Sequence, residues 1–282
     1  MTAIHANPVR DRSARPPIVI RRIDVDLDAE TEKYWYNGSP SITAFAYALS
    51  AVFPDGERMF IDSVRHYRDQ ITDPTLAAEV RAFIGQEAQH GQVHERYNAR
   101  AEAQGFAMGA VTAHAKKRIA RTRKVAPPEV QLAVTCALEH FTAMMAEQLL
   151  GDPRMSIGVP ESHAEMWRWH AAEEAEHKAV AFDVYQAVNG DYALRIRTYL
   201  LVSFMFSATT LATTFYLMAK DGTLRDPKNH AQLLRFLFVS PGLARNVLPG
   251  WFDYLRPNFH PWDRDDRHLL DRWKRDWAPA FR

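Results

Sequence analysis

Glu87-Ala-Gln-His90 and Glu174-Ala-Glu-His177 are the two stretches on which the reading of this chain turns. On an α-helix, residues three apart share a face, so each stretch presents one carboxylate and one imidazole to a common point. A single Glu-x-x-His is usually a solvated helix face; two copies on separate long helical segments carry more weight. Each copy lies in the second arm of a candidate hairpin. Thr72-Asp73-Pro74 closes the first hairpin, with Asp73 as N-cap and Pro74 at the first helical position. The loop between Gly151 and Pro160 closes the second.

A dinuclear carboxylate site among four helices takes one further glutamate from each remaining helix. Glu57 and Glu139 are the candidates. In an antiparallel hairpin, residues equidistant from the turn are level. Positions 57 and 87 centre on 72, and 139 and 174 centre on 156.5, each inside its turn. Glu57 is followed by Met59, Phe60 and Ile61, and Glu139 lies among Leu138, Phe141 and Met144. An isolated ionised carboxylate buried in such surroundings is very costly, and metal ions would offset that cost. A satisfied structural polar core is the competing reading. His170 precedes Glu174 by four residues, so His170, Glu174 and His177 share a face and His170 adds a third nitrogen donor. His94 is read as hydrogen-bonding behind the site. His140, Glu173 and Glu176 are one step off a ligand position and are expected to face elsewhere.

The rest of the chain is consistent with helices. Ile18 to Leu27 alternates and suggests one short extended segment. A helix through Phe45 and Leu49 meets a break at Pro54-Asp55-Gly56, and others cover about 57–70, 75–103, 129–150 and 161–188. The predicted fold class is all-α, a ferritin-like four-helix bundle with additional C-terminal helices. Residues 1–17 read as a flexible tail. Residues 18–282 read as one domain, with a metal-binding core over 41–190 and a helical extension over 191–282.

The composition, 47% hydrophobic and 24% charged with net charge +1, is that of a globular protein with no general attraction to nucleic acid. One cysteine, Cys136, allows no internal disulfide and fits a reducing compartment. The first residues lack the apolar core of a secretory signal, so a cytoplasmic location is expected, with membrane association as an option.

The segments FPDGERMF (53–60), FIGQEAQHGQVHERYN (83–98), ALEHFTAMMAE (137–147) and WRWHAAEEAEHKAVAFDVY (167–185) resemble the bacterial family of predicted metal-dependent hydrolases. RPNFHPWDRDDRHLLDRW (256–273) extends the resemblance towards the C-terminus. The pattern Glu, Glu-x-x-His, Glu, His-x-x-x-Glu-x-x-His is also similar to that of di-iron N-oxygenases acting on aryl amines. Carried over, these resemblances imply Glu57, Glu87, His90, Glu139, His170, Glu174 and His177 as ligands of two metal ions. Iron is the expected metal, with manganese and zinc compatible. The expected activity is oxygen-dependent oxidation of a small or apolar organic substrate, with dioxygen and an external electron-donor protein as partners. Metal-dependent hydrolysis is the alternative, and a non-catalytic metal-binding bundle the third reading.

Two features lie outside this site. Tyr199 to Ala219 is 21 residues without a charge, about 31 Å of helix at ~1.5 Å per residue. Its hydroxyls at 203, 207, 210 and 214 form one stripe, so a fifth helix buried against the bundle is expected first, then contact with a membrane surface. Lys116, Lys117, Arg118, Arg121, Arg123 and Lys124 form a basic stretch read as a solvated connecting helix, or else as a dock for an acidic electron donor or an anionic membrane surface.

Overall fold

A computed structural model describes residues 11–23, 25–27 and 31–276, and among them the chain is all-α with no strand. The helices are α1 (Pro40–Ser50), α2 (Phe53–His66), α3 (Pro74–Ala103), α4 (Met108–Val125), α5 (Pro128–Gly151) and α6 (Glu161–His177). They continue with α7 (Val180–Val188), α8 (Tyr192–Lys220), α9 (Pro227–Phe238), α10 (Leu243–Asp253) and α11 (Arg267–Asp276).

Local chemistry accounts for the main boundaries. Asp73 Oδ1 accepts from the Thr75 amide at 2.8 Å, and Pro74 opens α3 as expected. Pro54 does not break a helix; it stands in the first turn of α2, where a missing N–H costs nothing. The chain bends instead at Ala51-Val52, which places Glu57 inside α2. The single helix expected over 161–188 is interrupted directly after His177. Ala179 (φ −103°, ψ −9°) leaves regular helical geometry there. Lys178 is drawn aside to Asp266, 2.7 Å away.

α2 packs along α3, α5 along α6, and the two pairs meet through α2 against α5 and α3 against α6 and α7. One buried cluster holds Tyr97, Met166 and Trp169, another Phe83, Leu132 and Val184. His90 touches the first edge-on at Trp169, 4.9 Å between ring centres, and His177 the second at Phe83, also 4.9 Å.

Three segments read from the sequence find their places here, and one expectation, for α8, is corrected. The segment 18–23 is extended, but its backbone pairs with side chains: Val19 O accepts from Gln86 Nε2 at 3.0 Å and the Arg21 amide donates to Glu173 at 3.1 Å. Most of the supposed tail, residues 1–10, lies outside the described residues; Arg15, within it, is tied to Asp183 at 2.6 Å. α8 is not a buried fifth helix. It lays an edge containing Thr210 and Thr214 on the protein, packs against α1 and α5, and leaves Leu201 and Phe204 63% and 69% exposed. Tyr199, Val202, Leu217 and Met218 are buried on the same side as these threonines, whereas Leu200, Leu201, Phe204 and Met205 are left outside. By length and composition α8 is able to cross a membrane, but one edge is occupied by protein, and only 17% of its most apolar window is buried.

Leu132 is fully buried in α5 and Leu201 largely exposed in α8. Leu132→Ala is expected to lose about 2–5 kcal/mol of stability, and Leu201→Ala to stay within about 0.5 kcal/mol of the parent. Urea unfolding midpoints check both.

Candidate metal centre

α2 supplies Glu57, α3 Glu87 and His90, α5 Glu139, and α6 His170, Glu174 and His177. The fold brings all seven sequence-predicted residues together, and none is more than 4% exposed. His170 Nε2 lies 3.0 Å from Glu174 Oε1, and His90 Nδ1 3.6 Å from the same oxygen. His177 Nε2 lies 3.1 Å from Glu87 Oε1, 3.4 Å from Glu139 Oε2 and 3.4 Å from Glu174 Oε2. Three donor sets each close within 4.8 Å: Glu57, His90 and His170; Glu87, His90 and Glu174; Glu87, Glu139 and His177. The centre therefore has two halves, Glu57 with His90 and His170, and Glu139 with His177. Glu87 and Glu174 reach both. A Cβ at Gly91 would stand 3.2 Å from Glu57 Oε2, so that glycine permits the close approach of α2 to α3.

The hydrogen bonds behind the imidazoles set which nitrogen carries a proton. Asn98 Nδ2 donates to the Ser50 carbonyl at 3.1 Å, so its Oδ1 faces the Ser50 hydroxyl, which donates to it at 2.7 Å. With its only proton spent, Ser50 accepts from His94 Nδ1 at 2.8 Å. A neutral His94 then has Nε2 as an acceptor, and it takes the Nδ1 proton of His170 at 2.8 Å. The lone pair of His170 is left on Nε2, facing Glu174. His177 Nδ1 likewise donates to Gln86 Oε1 at 2.8 Å, while Gln86 Nε2 is held by Val19 O at 3.0 Å and Glu176 at 3.1 Å. His90 Nε2 donates to Glu173 at 3.1 Å. In the neutral state all three imidazoles thus aim a lone pair at the carboxylates, the tautomer that metal ligation requires.

The electrostatics agree. Burial pushes the carboxyls of Glu57, Glu87 and Glu139 up. The other carboxylates add to this at Glu57 and Glu139, while His177 relieves it at Glu87. Burial acts on Glu174 in the same sense, but His177 and His170 outweigh it and hold Glu174 well below its ordinary value. Burial would lower His177, yet Glu174 and Glu139 hold it well above. Burial and the neighbouring His170 push His90 and His94 well below theirs. Protons at the centre of the metal-free protein stand where cations would.

Both oxygens of Glu57, Glu87 and Glu139, one of Glu174, His90 Nδ1 and His177 Nε2 are buried without a hydrogen-bond partner. A donor set of carboxylates and imidazoles orphaned in this way fits divalent metal ions. The fit extends outward as expected for His94, which holds His170. Glu173 and Glu176 do face away: Glu173 takes the His90 proton, and Glu176 pairs with Arg21 at 2.8 Å and Lys274 at 3.1 Å. His140 faces elsewhere too, bonding the Gly250 carbonyl at 2.9 Å. Gln86, Arg21, Ser50 and Asn98 were not legible as site residues. Gln86 adjoins Glu87 and offered a weak signal; Arg21 is more than 150 positions from Glu173 and offered none.

Beside the centre runs a cleft of about 100 Å³, whose walls include Phe45, Phe53, Trp167 and Phe236 and whose floor reaches His170 and Glu174. Its lining is almost wholly apolar, and Phe53 stacks on His170 with ring centres 5.0 Å apart.

An all-α protein with a buried, dry cluster of carboxylates and imidazoles beside an apolar cleft is of the metal-binding kind. The chain belongs to the family described as predicted metal-dependent hydrolase, whose family model matches residues 19–265. No curated protein and no solved structure matches it. This membership backs the hydrolytic alternative better than the oxygenase reading, and the similarity to N-oxygenases has no counterpart among the matches.

His94→Ala removes the acceptor that fixes the His170 tautomer. Metal affinity, measured by competition with a chelator, is expected to fall about 10–100-fold while the helical content stays intact. A second outcome concerns pH. A carboxyl whose folded pKa is raised contributes stability that is complete below its ordinary value and lost as pH rises towards the folded one. Glu57, Glu87 and Glu139 act in this sense, as does the raised His177; Glu174 and the depressed His90 and His94 act oppositely. Above about pH 7 the contributions of His90 and His94 are complete, so chelator-treated protein is expected to lose melting temperature as pH rises further, and metal-loaded protein to lose much less. Parallel profiles would contradict the proposed link between these carboxyls and metal.

Proposed function

We propose that the protein is a dinuclear metal enzyme of ferritin-like arrangement. In this reading it hydrolyses an ester or amide of an apolar small molecule. Glu57, His90 and His170 would hold one ion, Glu139 and His177 the other, with Glu87 and Glu174 within reach of both. The observation that carries this reading is the convergence of orphaned donors beside an apolar cleft that reaches them at His170 and Glu174. Family membership supports hydrolysis as the reaction class.

The metal ions, when bound, supply Lewis acidity and a water acidified towards neutral pH. The chain's own residues do the rest. The cleft walls bind and desolvate the apolar part of the substrate and leave polarity only at the His170 and Glu174 end, so the scissile group is placed there. Phe53 and Trp167 flank His170, at 5.0 Å and 6.3 Å between ring centres, and keep bulk water from it. His94, Gln86 and Glu173 hold the three imidazoles in the ligating tautomer and prevent the rings from turning.

Oxidation of the same substrate with dioxygen is the second reading. Four carboxylates, enough to neutralise two divalent ions, favour it. Hydrolysis gains more from a positively charged centre that acidifies its water. Under this reading electrons come from a separate protein, for which the basic surface of α4 is the proposed dock.

Protein reconstituted with zinc, manganese or iron is expected to bind two ions per chain by elemental analysis, and Glu57→Ala and Glu139→Ala to bind fewer. Under anaerobic conditions the loaded protein is expected to cleave an apolar aryl ester. Absence of cleavage, combined with dioxygen consumption by the reduced iron form, would transfer the assignment to oxidation. Full two-ion binding by both variants would remove the centre as drawn.

A further inference from the structure

We propose that the outer face formed by α8, α9 and α10 docks on the surface of an anionic lipid bilayer, without crossing it. The first observation is where exposed apolar bulk is found. Of the sixteen large apolar side chains exposed among the described residues, twelve lie between Tyr192 and Phe252. Leu201 and Phe204 on α8, Leu234 and Phe238 on α9, and Leu248 and Phe252 on α10 are each at least half exposed. The three helices form a continuous layer: α8 and α9 both lie on α1, while α10 packs on α9 and α5. Scattered exposed apolar residues are ordinary, whereas a contiguous set on one layer marks an interface.

The second observation is charge. Between Tyr192 and Phe252 the chain has seven Lys and Arg against two acidic residues, although the whole protein is close to neutral at net +1. Of the two, Asp221 is paired with Lys33, and Asp226 caps α9 by accepting from the Lys228 amide at 2.9 Å. Arg197, Lys220, Arg225, Lys228, Arg235 and Arg245 are exposed in the same stretch as the apolar side chains. Apolar residues interspersed with Lys and Arg are the composition that seats an amphipathic helix at a headgroup boundary, apolar face about 5–10 Å deep. A second copy of this chain suits the face less well, because a two-fold contact would set basic surface against basic surface. A lone span of α8 is excluded by the protein packed along its inner edge.

The third observation is continuity with the site. α9 and α10 turn their other faces inward, where Phe236 and Leu243 line the cleft that ends at His170 and Glu174. The docking face and the substrate cleft are thus two sides of one thin helical layer, and a lipid-soluble molecule has a short apolar path between them. The docking proposal itself does not depend on the reaction assigned to the centre.

The test uses the full chain carrying its metals, floated with phosphatidylcholine vesicles that are pure or contain roughly one-third phosphatidylglycerol. Partition onto the anionic vesicles is expected, with little onto the neutral ones. Phe204→Glu and Leu201→Glu are expected to lower it at least about tenfold, and Arg197→Gln and Arg235→Gln about fivefold each. These side chains are exposed, so melting temperatures should be unchanged and serve as the control for folding. No flotation with anionic vesicles would overturn the proposal, as would equal binding to both vesicle types that the variants do not alter. A dimer in sedimentation that Phe204→Glu dissolves, without vesicle binding, would assign the face to a second copy.

Discussion

Four glutamates share one dry volume in this protein, and almost every other feature of the interior answers to that constraint. A carboxylate removed from water loses several kcal/mol of solvation unless charge and hydrogen bonds replace it, and like charges a few ångströms apart repel. Only compact cations at the centre relieve all four at once. Protons do so partially, which is why the carboxyls of Glu57, Glu87 and Glu139 are pushed up while Glu174 and His177 form an ion pair. Metal ions do so fully, and the lone pairs of His90, His170 and His177 are already aimed for them.

The polar layer outside the donors follows from the same constraint. An imidazole that ligates through one nitrogen must place its other proton on an acceptor. Glu173, Gln86 and His94 are those acceptors, and each is itself satisfied: Glu173 and Gln86 by the segment around Arg21, His94 by Ser50 and Asn98. The N-terminal stretch thus closes the back of the site instead of adding a strand. Trp273 of α11 lies against the Arg21 guanidinium, 5.2 Å from ring centre to charge, so even the C-terminal helix helps to hold this support in place.

On the opposite side the protein becomes apolar. The cleft reaches the centre from α1, α5 and α6, and the layer above it carries apolar residues on both faces. On this side alone, the charged centre gives way outward to apolar walls and an apolar outer face. The four carboxylates temper the hydrolytic reading, because they draw positive charge from the metals that would acidify a water; the family relationship supports it.

Local information was enough for much of this. Asp73-Pro74, Pro128 and the Gly151–Pro160 loop mark their boundaries through capping and ring geometry that no distant contact changes. The helical repeat and the equal distances from each turn then put Glu57 level with Glu87 and Glu139 level with Glu174. What lay beyond the sequence depended on contacts between remote segments. Pro54 reads as a breaker or a starter depending on where the preceding helix ends, and the interruption after His177 follows Lys178 reaching Asp266. The rotation of α8 was equally hidden, because apolar side chains surround it, and only its packing on α1 and α5 decides which of them are buried. Arg21 and Ser50 became part of the centre for the same reason: hydrogen bonds behind a ligand are made by whichever backbone or side chain the completed packing brings within 3 Å or so, and spacing along the chain carries no record of that.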